Sequence, residues 1–513
     1  MEISSFNVSV GNVCVRRESE YLSRRNKMNK MKAEIPAPNN NMTMRVGNKV
    51  LVETVFAATG LDVFLNGLKR GQGDSVSREV IALVANSMEM TGLSINRLDR
   101  MLENDVVRRE YGLNADPRSI YRTVERIGKN SEGIVKYLGN VLKDRFGVGM
   151  DTVFIDWTSM YFEAPAKGIV RFGYSRDHRP DRPQVTVGLS IDKDSGMPMG
   201  LTVMPGNVLD VTHFPETFTQ IKPLLADNAM IVFDNGAYSR ENAALLDREG
   251  FGFVTRMQLN SSDDKFVRKN AENWAQMDEN TSFMLIEGSL NRKRYIFRSE
   301  KLKADVLERY RRKAEKDYDE MKELKAAVER QKRPRKKHRN SNCFVDTRLF
   351  HRFPLETMTR GEAIEHAVKQ MISGREGLFV LLTNSTLTAS DVLELYRSRN
   401  AAESAFRDLK HGIDWRPARC TSDDAVRGRI LVSFLALFCM SMMRFLYPEF
   451  RTKTALSISE ELSSFALTVI EKEDGTKRRI WSNFTPMIRR LSGRITKIPV
   501  QKTPKQTDLE GFG

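Results

Sequence analysis

The chain has 513 residues, 40% of them hydrophobic, and it carries 82 Lys and Arg against 66 Asp and Glu, a formal net charge of +16. Such a chain is long and apolar enough for about three folded domains, and its basic balance favours a polyanionic partner, although solubility alone would also explain it. Four scattered cysteines argue against a disulfide framework or a zinc site and for a reducing compartment, and the first thirty residues lack the apolar core of a signal peptide.

The N-terminal part of the chain divides into two regions. Residues 1–40 are polar and basic with little apolar periodicity, so they predict a disordered tail. Residues 41–148 follow a helical pattern broken by short polar spacers, which predicts an all-helical domain. A small helical bundle of this kind suits DNA binding, and it equally suits a bundle that braces a catalytic core.

From residue 149 to residue 258 the pattern changes to short apolar runs separated by Gly, Pro and Asp. Several predicted strands are followed by alternating helices and strands, which is typical of an α/β fold with a mixed sheet. The predicted strands are DTVFIDWTSMYFE, GIVRFGYS, PQVTVGLSID, GLTVMPGN, MIVFD and FGFVTRMQ.

Residues 259–388 interrupt this alternation with a predicted hairpin, SFMLIEGSLNRKRYIFRSE, and a long helix. Apolar residues recur every seven positions in that helix, which predicts a stalk or coiled contact. It leads into the basic run KRPRKKHR, which we interpret as a DNA backbone contact, with a solvated charged arm as the alternative. The cations of this run are Lys332, Arg333, Arg335, Lys336, Lys337 and Arg339.

The region 389–450 begins with LTASDVLELYRSRNAAESAFRDLK, which reads as one helix. At about 100° per residue, four of its side chains share one face: Tyr396, Arg399, Glu403 and Lys410. A solvated charged face is the ordinary explanation, but a lone carboxylate among cations also suits phosphate chemistry. The apolar run ILVSFLALFCMSMM is too short for a bilayer and predicts a buried helix. In the remaining C-terminal region, 451–513, FALTVIEKEDGTKRRIWS predicts a hairpin.

Two aspartates follow apolar runs within the predicted sheet, where an α/β fold presents its chemistry. Asp156 lies in VFIDWTS and Asp234 lies in MIVFDNGAYS. Singly, each would be an ordinary turn or capping residue. Together with Glu403 they would supply three hard oxygen ligands for Mg²⁺ or Mn²⁺, and two such ions would support attack on a phosphodiester. The sequence has no HxxxH pair and no Walker-type glycine loop, which lowers the case for zinc chemistry and nucleotide hydrolysis.

The pattern Tyr396-x2-Arg399-x3-Glu403-x6-Lys410 resembles the Y-x2-R-x3-E-x6-K signature of a large branch of bacterial insertion-sequence DDE transposases. The segment IDWTSMYFE is similar to the first-aspartate strand of that branch, and FDNGAYSRENAALL is similar to its second-aspartate strand and helix. The stretch from GYSR to GNVLD resembles the segment that lies between them.

This resemblance implies an RNase H-like catalytic core, a mixed sheet with flanking helices, interrupted by a β-plus-helix insertion. It implies metal-dependent cleavage at transposon ends and joining of the 3′-OH to target DNA. Asp156, Asp234 and Glu403 would be the catalytic metal ligands, and Tyr396, Arg399 and Lys410 would contact phosphates. Trp274 is a candidate for stacking on a flipped base, although core packing is the simpler explanation.

The partners implied are double-stranded DNA, as element ends and as target, and a second copy of the chain when assembled on DNA. The expected location is the bacterial cytoplasm, at the nucleoid, with no membrane association. Two alternatives stay open at this point: a non-catalytic DNA-binding relative, and an RNase H-like nuclease without strand transfer.

Overall fold

The computed structural model describes residues 42–69, 75–89, 98, 101–113, 117–288, 292–331, 358–409, 420, 422–471 and 475–494. The predicted N-terminal tail, the basic run 332–339 and Lys410 lie outside these residues.

Helices and strands alternate through the described residues. The helices are α1 (Gly47–Thr59), α2 (Leu61–Gly67), α3 (Val76–Ser87), α4 (Asp105–Tyr111), α5 (Pro117–Lys129), α6 (Ser131–Phe146), α7 (Asp210–Ile221), α8 (Arg240–Arg248), α9 (Ser261–Lys269), α10 (Glu300–Gln331), α11 (Arg360–Met371), α12 (Ala389–Arg397), α13 (Asn400–Arg407), α14 (Asp423–Leu446), α15 (Ala455–Ser463) and α16 (Pro486–Arg494). The strands are β1 (Met42–Arg45), β2 (Thr152–Tyr161), β3 (Gln184–Asp192), β4 (Pro198–Pro205), β5 (Met230–Phe233), β6 (Gly252–Met257), β7 (Ala275–Asp278), β8 (Thr281–Glu287), β9 (Lys293–Ser299), β10 (Leu378–Thr383), β11 (Ala466–Glu471) and β12 (Lys477–Ser482).

The chain forms two compact units. The terminal unit holds the described residues of Met1–Lys129, Asp408–Arg416 and Asp424–Gly513, and the central unit holds those of Asn130–Arg407 and Pro417–Asp423. The finer domain boundaries given above stay predictions.

The central unit is built on one mixed sheet of nine described strands, in the order β4-β3-β2-β5-β6-β10-β9-β8-β7. Strands β4, β3 and β2 are antiparallel neighbours, whereas β2, β5 and β6 run parallel. This arrangement of the first five strands fits the expected RNase H-like core. The predicted interruption at 259–388 does not leave the sheet, because its strands β10, β9, β8 and β7 extend the sheet beyond β6.

Most predicted strands are present, but GIVRFGYS is not a strand. It makes two isolated bridges, Lys167 with Val170 and Arg171 with Gln184. Gly168 takes a positive φ of 57° there, so the backbone turns back on itself instead of extending. The predicted strand therefore becomes a loop beside β3.

Two apolar layers cover the two faces of the central sheet. On one face, α12 and α13 pack through Val392, Leu395 and Ala402 against sheet residues that include Phe154 and Val232. On the other face, α7 contributes an aromatic layer whose rings contact the sheet: the Phe214 and Phe233 centroids are 4.9 Å apart. Successive residues of a strand alternate between these layers, so a residue's position fixes the helices it faces.

The long helix α10 makes the contact that its sevenfold repeat predicts. Ala314 and Met321, seven residues apart, are buried against Ala363, Ile364 and Ala367 of α11. The predicted buried helix is also present as α14: it is long and apolar enough to span a membrane, yet 83% of its most apolar window is buried inside the protein. The N-terminal region is helical from α1 to α6, but the prediction that 41–148 is all-helical was wrong, because β1 lies at its start and pairs with the distant strand β11. Strands β11 and β12 form the predicted C-terminal hairpin.

Candidate catalytic site

Asp156 and Asp234 lie level with each other on neighbouring parallel strands. Phe154 of β2 is paired with Val232 of β5, and each aspartate is two residues further along its strand direction. A separation of two residues returns a side chain to the same face, and neighbouring strands are about 4.8 Å apart. Both carboxylates therefore point to the face covered by α12 and α13. Asp156 follows an apolar run inside the predicted strand, and β2 does continue past it to Tyr161, with β3 paired from Val153 to Tyr161.

Asp156 is a largely buried carboxylate, with 21% of its side chain exposed. Burial raises its pKa to about 6, with a smaller contribution from the nearby charges of Asp234 and Asp210. Arg399 and a hydrogen bond of 2.9 Å from the backbone N–H of Trp157 oppose that shift. When Asp156 is ionised, Arg399 and the Trp157 N–H therefore offset only part of the cost of burying its negative charge.

Asp234 directly follows β5 and begins a short 3-10 turn, Asn235–Ala237. Its carboxylate accepts a hydrogen bond of 2.8 Å from the backbone N–H of Asn235. The hydroxyl of Tyr396 on α12 donates a second hydrogen bond to Asp234 Oδ1, at 3.1 Å. Burial, together with the charge of Asp234, raises the pKa of Tyr396 to about 12, so the phenol stays protonated as a donor at neutral pH.

The segment predicted as one helix is two helices with a turn at Ser398 and Arg399. Thr388 caps the start of α12 in a capping box with Asp391. The helix ends where the hydroxyl of Ser398 bonds to the carbonyl of Leu395, at 2.8 Å, and so competes with the backbone ladder. The break does not separate the predicted face, because Arg399 and Glu403 still lie on the side of α12 and α13 that meets the carboxylates.

The guanidinium of Arg399 lies between two of the three predicted metal ligands. Its Nη1 is 3.5 Å from Asp156 Oδ2, and its Nη2 donates to Glu403 Oε1 at 2.8 Å. Arg399 is 13% exposed at its side chain and also lies over the ring of Tyr396, 5.5 Å from the centroid. Glu403 is the more open ligand, with 47% of its side chain exposed.

The donor set fits a hard divalent cation. Two carboxylates lie on adjacent strands, a third belongs to α13, and a side-chain cation already lies between Asp156 and Glu403. Mg²⁺ and Mn²⁺ prefer such oxygen donors. Within the described ranges, no three His, Cys, Asp or Glu side chains already stand close enough together to hold a metal ion. Binding by all three carboxylates therefore requires that the Arg399–Glu403 contact opens.

The ion pair of Arg176 with Asp210 lies beside this site, and no role for it was predicted. Arg176 bonds both oxygens of Asp210, and its backbone N–H donates to Ser159 Oγ of β2 at 3.0 Å. On its other side Asp210 faces Gly236, where an added Cβ would lie 3.0 Å from Asp210 Oδ2. The pair thus links β2 to the turn that follows Asp234. Both residues stand in stretches that carry the family resemblance, because Arg176 ends GYSR and Asp210 ends GNVLD.

The remaining predicted site residues are not brought to the carboxylates by any contact of the described residues. Trp274 is half-buried, packs against a cluster that includes Met284, Ile296 and Val380, and carries the guanidinium of Arg298 4.5 Å from its ring. Its stacking role stays a prediction. Lys410 and the cations of 332–339 lie outside the described residues, so their DNA contacts also stay predictions.

A comparison of the sequence with models of protein families gives a match. The model of the transposase DDE domain matches residues 148–439, more than half of the chain. The chain is similar at 12% identity to a solved structure, the piggyBac transposase synaptic complex with hairpin DNA; the match covers 91% of this chain and 88% of that chain, with a TM-score of 0.40. A likeness at that level does not define a shared function. The search of curated proteins gave no match.

The family match spans Asp156 in β2, Asp234 directly after β5, and Glu403 in α13. The chain therefore belongs to the DDE transposase family.

Proposed function

We propose that this transposase cleaves DNA at the ends of a bacterial insertion sequence and joins the freed 3′-OH to target DNA. The observation that carries the proposal is the level placement of Asp156 and Asp234 on parallel strands, with Glu403 tied to Asp156 through Arg399. The signature from Tyr396 to Lys410 supports the narrower assignment to the Y-x2-R-x3-E-x6-K branch.

In this proposal, Asp156, Asp234 and Glu403 hold two divalent ions, Mg²⁺ or Mn²⁺. When bound, the ions would supply the positive charge that activates the attacking oxygen and stabilises the leaving 3′ oxygen. Tyr396 keeps the carboxylate of Asp234 oriented through its hydrogen bond. Asp210 and Arg176 hold the Asp234 turn against β2, so that the two aspartates keep their separation.

The cations of the signature would contact the DNA strand being cut. Arg399 exchanges its carboxylate partners for a DNA phosphate, which releases Glu403 for the ions, and Lys410 contacts a second phosphate. A pair of transposase subunits would hold the two element ends in the cytoplasm, at the nucleoid.

The test is an incubation of the protein with Mg²⁺ and DNA that carries the inverted ends of the element. Cleavage with joining is the expected result, cleavage alone would indicate a nuclease, and binding alone would indicate a non-catalytic relative. Glu403→Gln should abolish cleavage and spare DNA binding, because it removes a ligand without changing the size of the side chain. Glu394→Gln is the matched control, since Glu394 is an exposed acid on α12. Full activity of Glu403→Gln would refute the assignment.

A further inference from the structure

Arg256 continues the row of side chains that contains Asp156 and Asp234. In the parallel pair of β5 and β6, Phe233 is level with Thr255. Asp234 follows Phe233 in an extended conformation, with φ −89° and ψ 164°, so Arg256 is level with Asp234. The row therefore crosses β2, the end of β5 and β6, and it brings two carboxylates and one guanidinium to the face covered by α12 and α13.

The surroundings of Arg256 on this face of the sheet are otherwise apolar. Val254, two residues earlier on the same face, and Leu381, its paired residue on β10, are both fully buried in the layer under α12. Arg256 itself is exposed. A solvated arginine near the end of a strand is the ordinary explanation. That explanation accounts for the exposure of Arg256 but not for its place beside the two carboxylates.

The charge of Arg256 is not neutralised by an ion pair in the part of the chain that the structure describes. Its neighbour in the row, Asp234, accepts hydrogen bonds instead from the backbone N–H of Asn235 at 2.8 Å and from the hydroxyl of Tyr396 at 3.1 Å. Burial is the largest influence on the pKa of Tyr396 and raises it, whereas the nearby charge of Arg256 acts against that rise. Arg256 is therefore close to the site without being paired in it.

Two arginines thus flank the carboxylates in different states. Arg399 is paired with both Asp156 and Glu403, so it must release these partners before it can bind another anion. Arg256 lies on the other side of Asp234 and has no such partner to release among the described residues. Neighbouring strands are about 4.8 Å apart, a distance that an arginine side chain spans. Its guanidinium can therefore reach an anion held over Asp234.

We propose that Arg256 is a further catalytic residue, whose guanidinium donates hydrogen bonds to a non-bridging oxygen of the phosphate that is cut. This inference rests on the proposed function and deepens it, because Arg256 lies outside the signature at 396–410.

In the cut, a water oxygen forms a bond to phosphorus while the bond from phosphorus to the 3′ oxygen breaks, and its electron pair passes to that oxygen. The water loses one proton to the solvent, and the 3′ oxygen takes one from it. Negative charge on the non-bridging oxygens increases in the transition state, and charge-assisted hydrogen bonds from a preformed cation stabilise it there. Arg256 supplies such a cation at no cost of breaking an ion pair.

The test compares the wild type with Arg256→Gln in Mg²⁺, on a duplex that carries an inverted end of the element. Arg256→Gln should lower kcat about 100-fold, because the contact strengthens in the transition state. KM, and the affinity for the same duplex in EDTA, should stay nearly unchanged. Arg256→Lys keeps the charge and should recover part of kcat. The matched control is Arg268→Gln at an exposed arginine of α9, which should cleave like the wild type, and circular dichroism checks that each variant folds.

A second substrate separates contact with the phosphate from a structural role. A methyl group in place of one non-bridging oxygen of the cut phosphate removes the negative charge that Arg256 would meet. On this methylphosphonate duplex the deficit of Arg256→Gln relative to the wild type should shrink about tenfold, since the two changes remove the same interaction. A deficit of equal size on both duplexes would mean that Arg256 only supports the fold of the site, and it would overturn the inference.

Two further outcomes would also overturn it. One is a folded Arg256→Gln variant with the kcat of the wild type. The other is a raised KM at unchanged kcat, which would make Arg256 a contact that binds substrate and transition state equally. Absence of cleavage by the wild type would instead refute the proposed function itself, so the two failures can be told apart.

Discussion

Asp156 is the residue at which fold stability and the proposed function oppose each other. Its burial raises its pKa to about 6, above the value of an unfolded aspartate. A raised pKa means that the carboxyl group contributes stability in its neutral form, below about pH 4, and that this contribution is lost as the pH rises through about 6. At neutral pH the ionised group therefore costs about 1–3 kcal/mol in the protein without metal.

Asp156→Asn should consequently raise the melting temperature at pH 7 and leave it unchanged near pH 4, while it abolishes cleavage. Thermal melts of both proteins across this pH range measure the effect. Asp192→Asn on the neighbouring strand is the comparison, because Asp192 accepts hydrogen bonds from the N–H and hydroxyl of Ser195. The melting temperature of Asp192→Asn at pH 7 should therefore not exceed that of the wild type. A melting temperature of Asp156→Asn below that of the wild type at pH 7 would contradict the prediction.

Arg399 should stabilise the site chiefly when divalent ions are absent. Arg399→Gln removes the cation between Asp156 and Glu403, so it should cost about 1–3 kcal/mol in EDTA and distinctly less in saturating Mg²⁺. Denaturant unfolding with and without Mg²⁺ measures the difference. Arg292→Gln is the control, since Arg292 pairs with Asp247 at 2.8 Å and is similarly buried, 15% exposed. An equal Mg²⁺ effect in both variants would argue against this role for Arg399.

For single residues, the sequence indicated which carboxylates could act together, but it did not indicate which side chains contact them. Asp156, Asp234 and Glu403 could be selected because two follow apolar runs and one belongs to a spaced signature. Neither the contact of Arg399 with Asp156 nor that of Arg176 with Asp210 could be predicted, although Arg176 and Asp210 end the stretches GYSR and GNVLD that carry part of the family resemblance. Each joins residues on different elements, 243 and 34 positions apart, so each depends on tertiary packing.

At the scale of elements, two glycines let α5 and α14 approach closely within the terminal unit. A Cβ added at Gly128 would lie 1.8 Å from the carbonyl oxygen of Asp424, and one added at Gly428 would lie 1.9 Å from that of Val124. Gly128→Ala should therefore force the two backbones apart and cost about 3 kcal/mol.

Gly133→Ala in α6 is the opposite case, because nothing lies within 4 Å of the added Cβ. It should stabilise the protein by about 0.5–1 kcal/mol through the helix propensity of alanine. Denaturant titrations of the two variants measure both effects. If Gly128→Ala left the free energy of unfolding unchanged, the two helices could move apart without destabilising the protein.

Element types were largely predictable because they depend on local periodicity. The short apolar runs of β2, β3 and β8 and the sevenfold repeat of α10 are both local patterns. The breaks were not predictable in the same way: the interruption between α12 and α13 coincides with a side-chain hydrogen bond of Ser398, which the apolar pattern of the segment does not indicate. The addition of β10 to the sheet beside β6 depends on pairing across more than 120 residues, which no local pattern encodes.

At the scale of the whole molecule, the division into two compact units predicts more than one thermal transition. Calorimetry should resolve two, as is usual for chains with separate cores. Gly128→Ala should shift one transition and Asp156→Asn the other, because the two residues belong to different units. A single transition that both variants shift equally would show that the units unfold together.

The α/β class and the run of helices from α1 to α6 could be predicted from the sequence, since both follow from the order of element types, whereas β1 could not. Which segments make up each unit could not be predicted, because the terminal unit combines segments that precede and follow the central unit in the sequence. Which segments share a core is decided by buried pairings such as that of Met44 with Leu467, not by nearness along the chain.

The pairing of β1 with β11 has a consequence for synthesis on the ribosome. Residues 42–45 are translated more than 400 codons before their strand partners, residues 466–469. All nine strands of the central sheet lie between these two segments, whereas the small sheet of β1, β11 and β12 cannot form until residues 466–469 have been translated. A product released by a stop codon before position 466 would thus contain the sheet that carries Asp156 but lack the strand that pairs with β1.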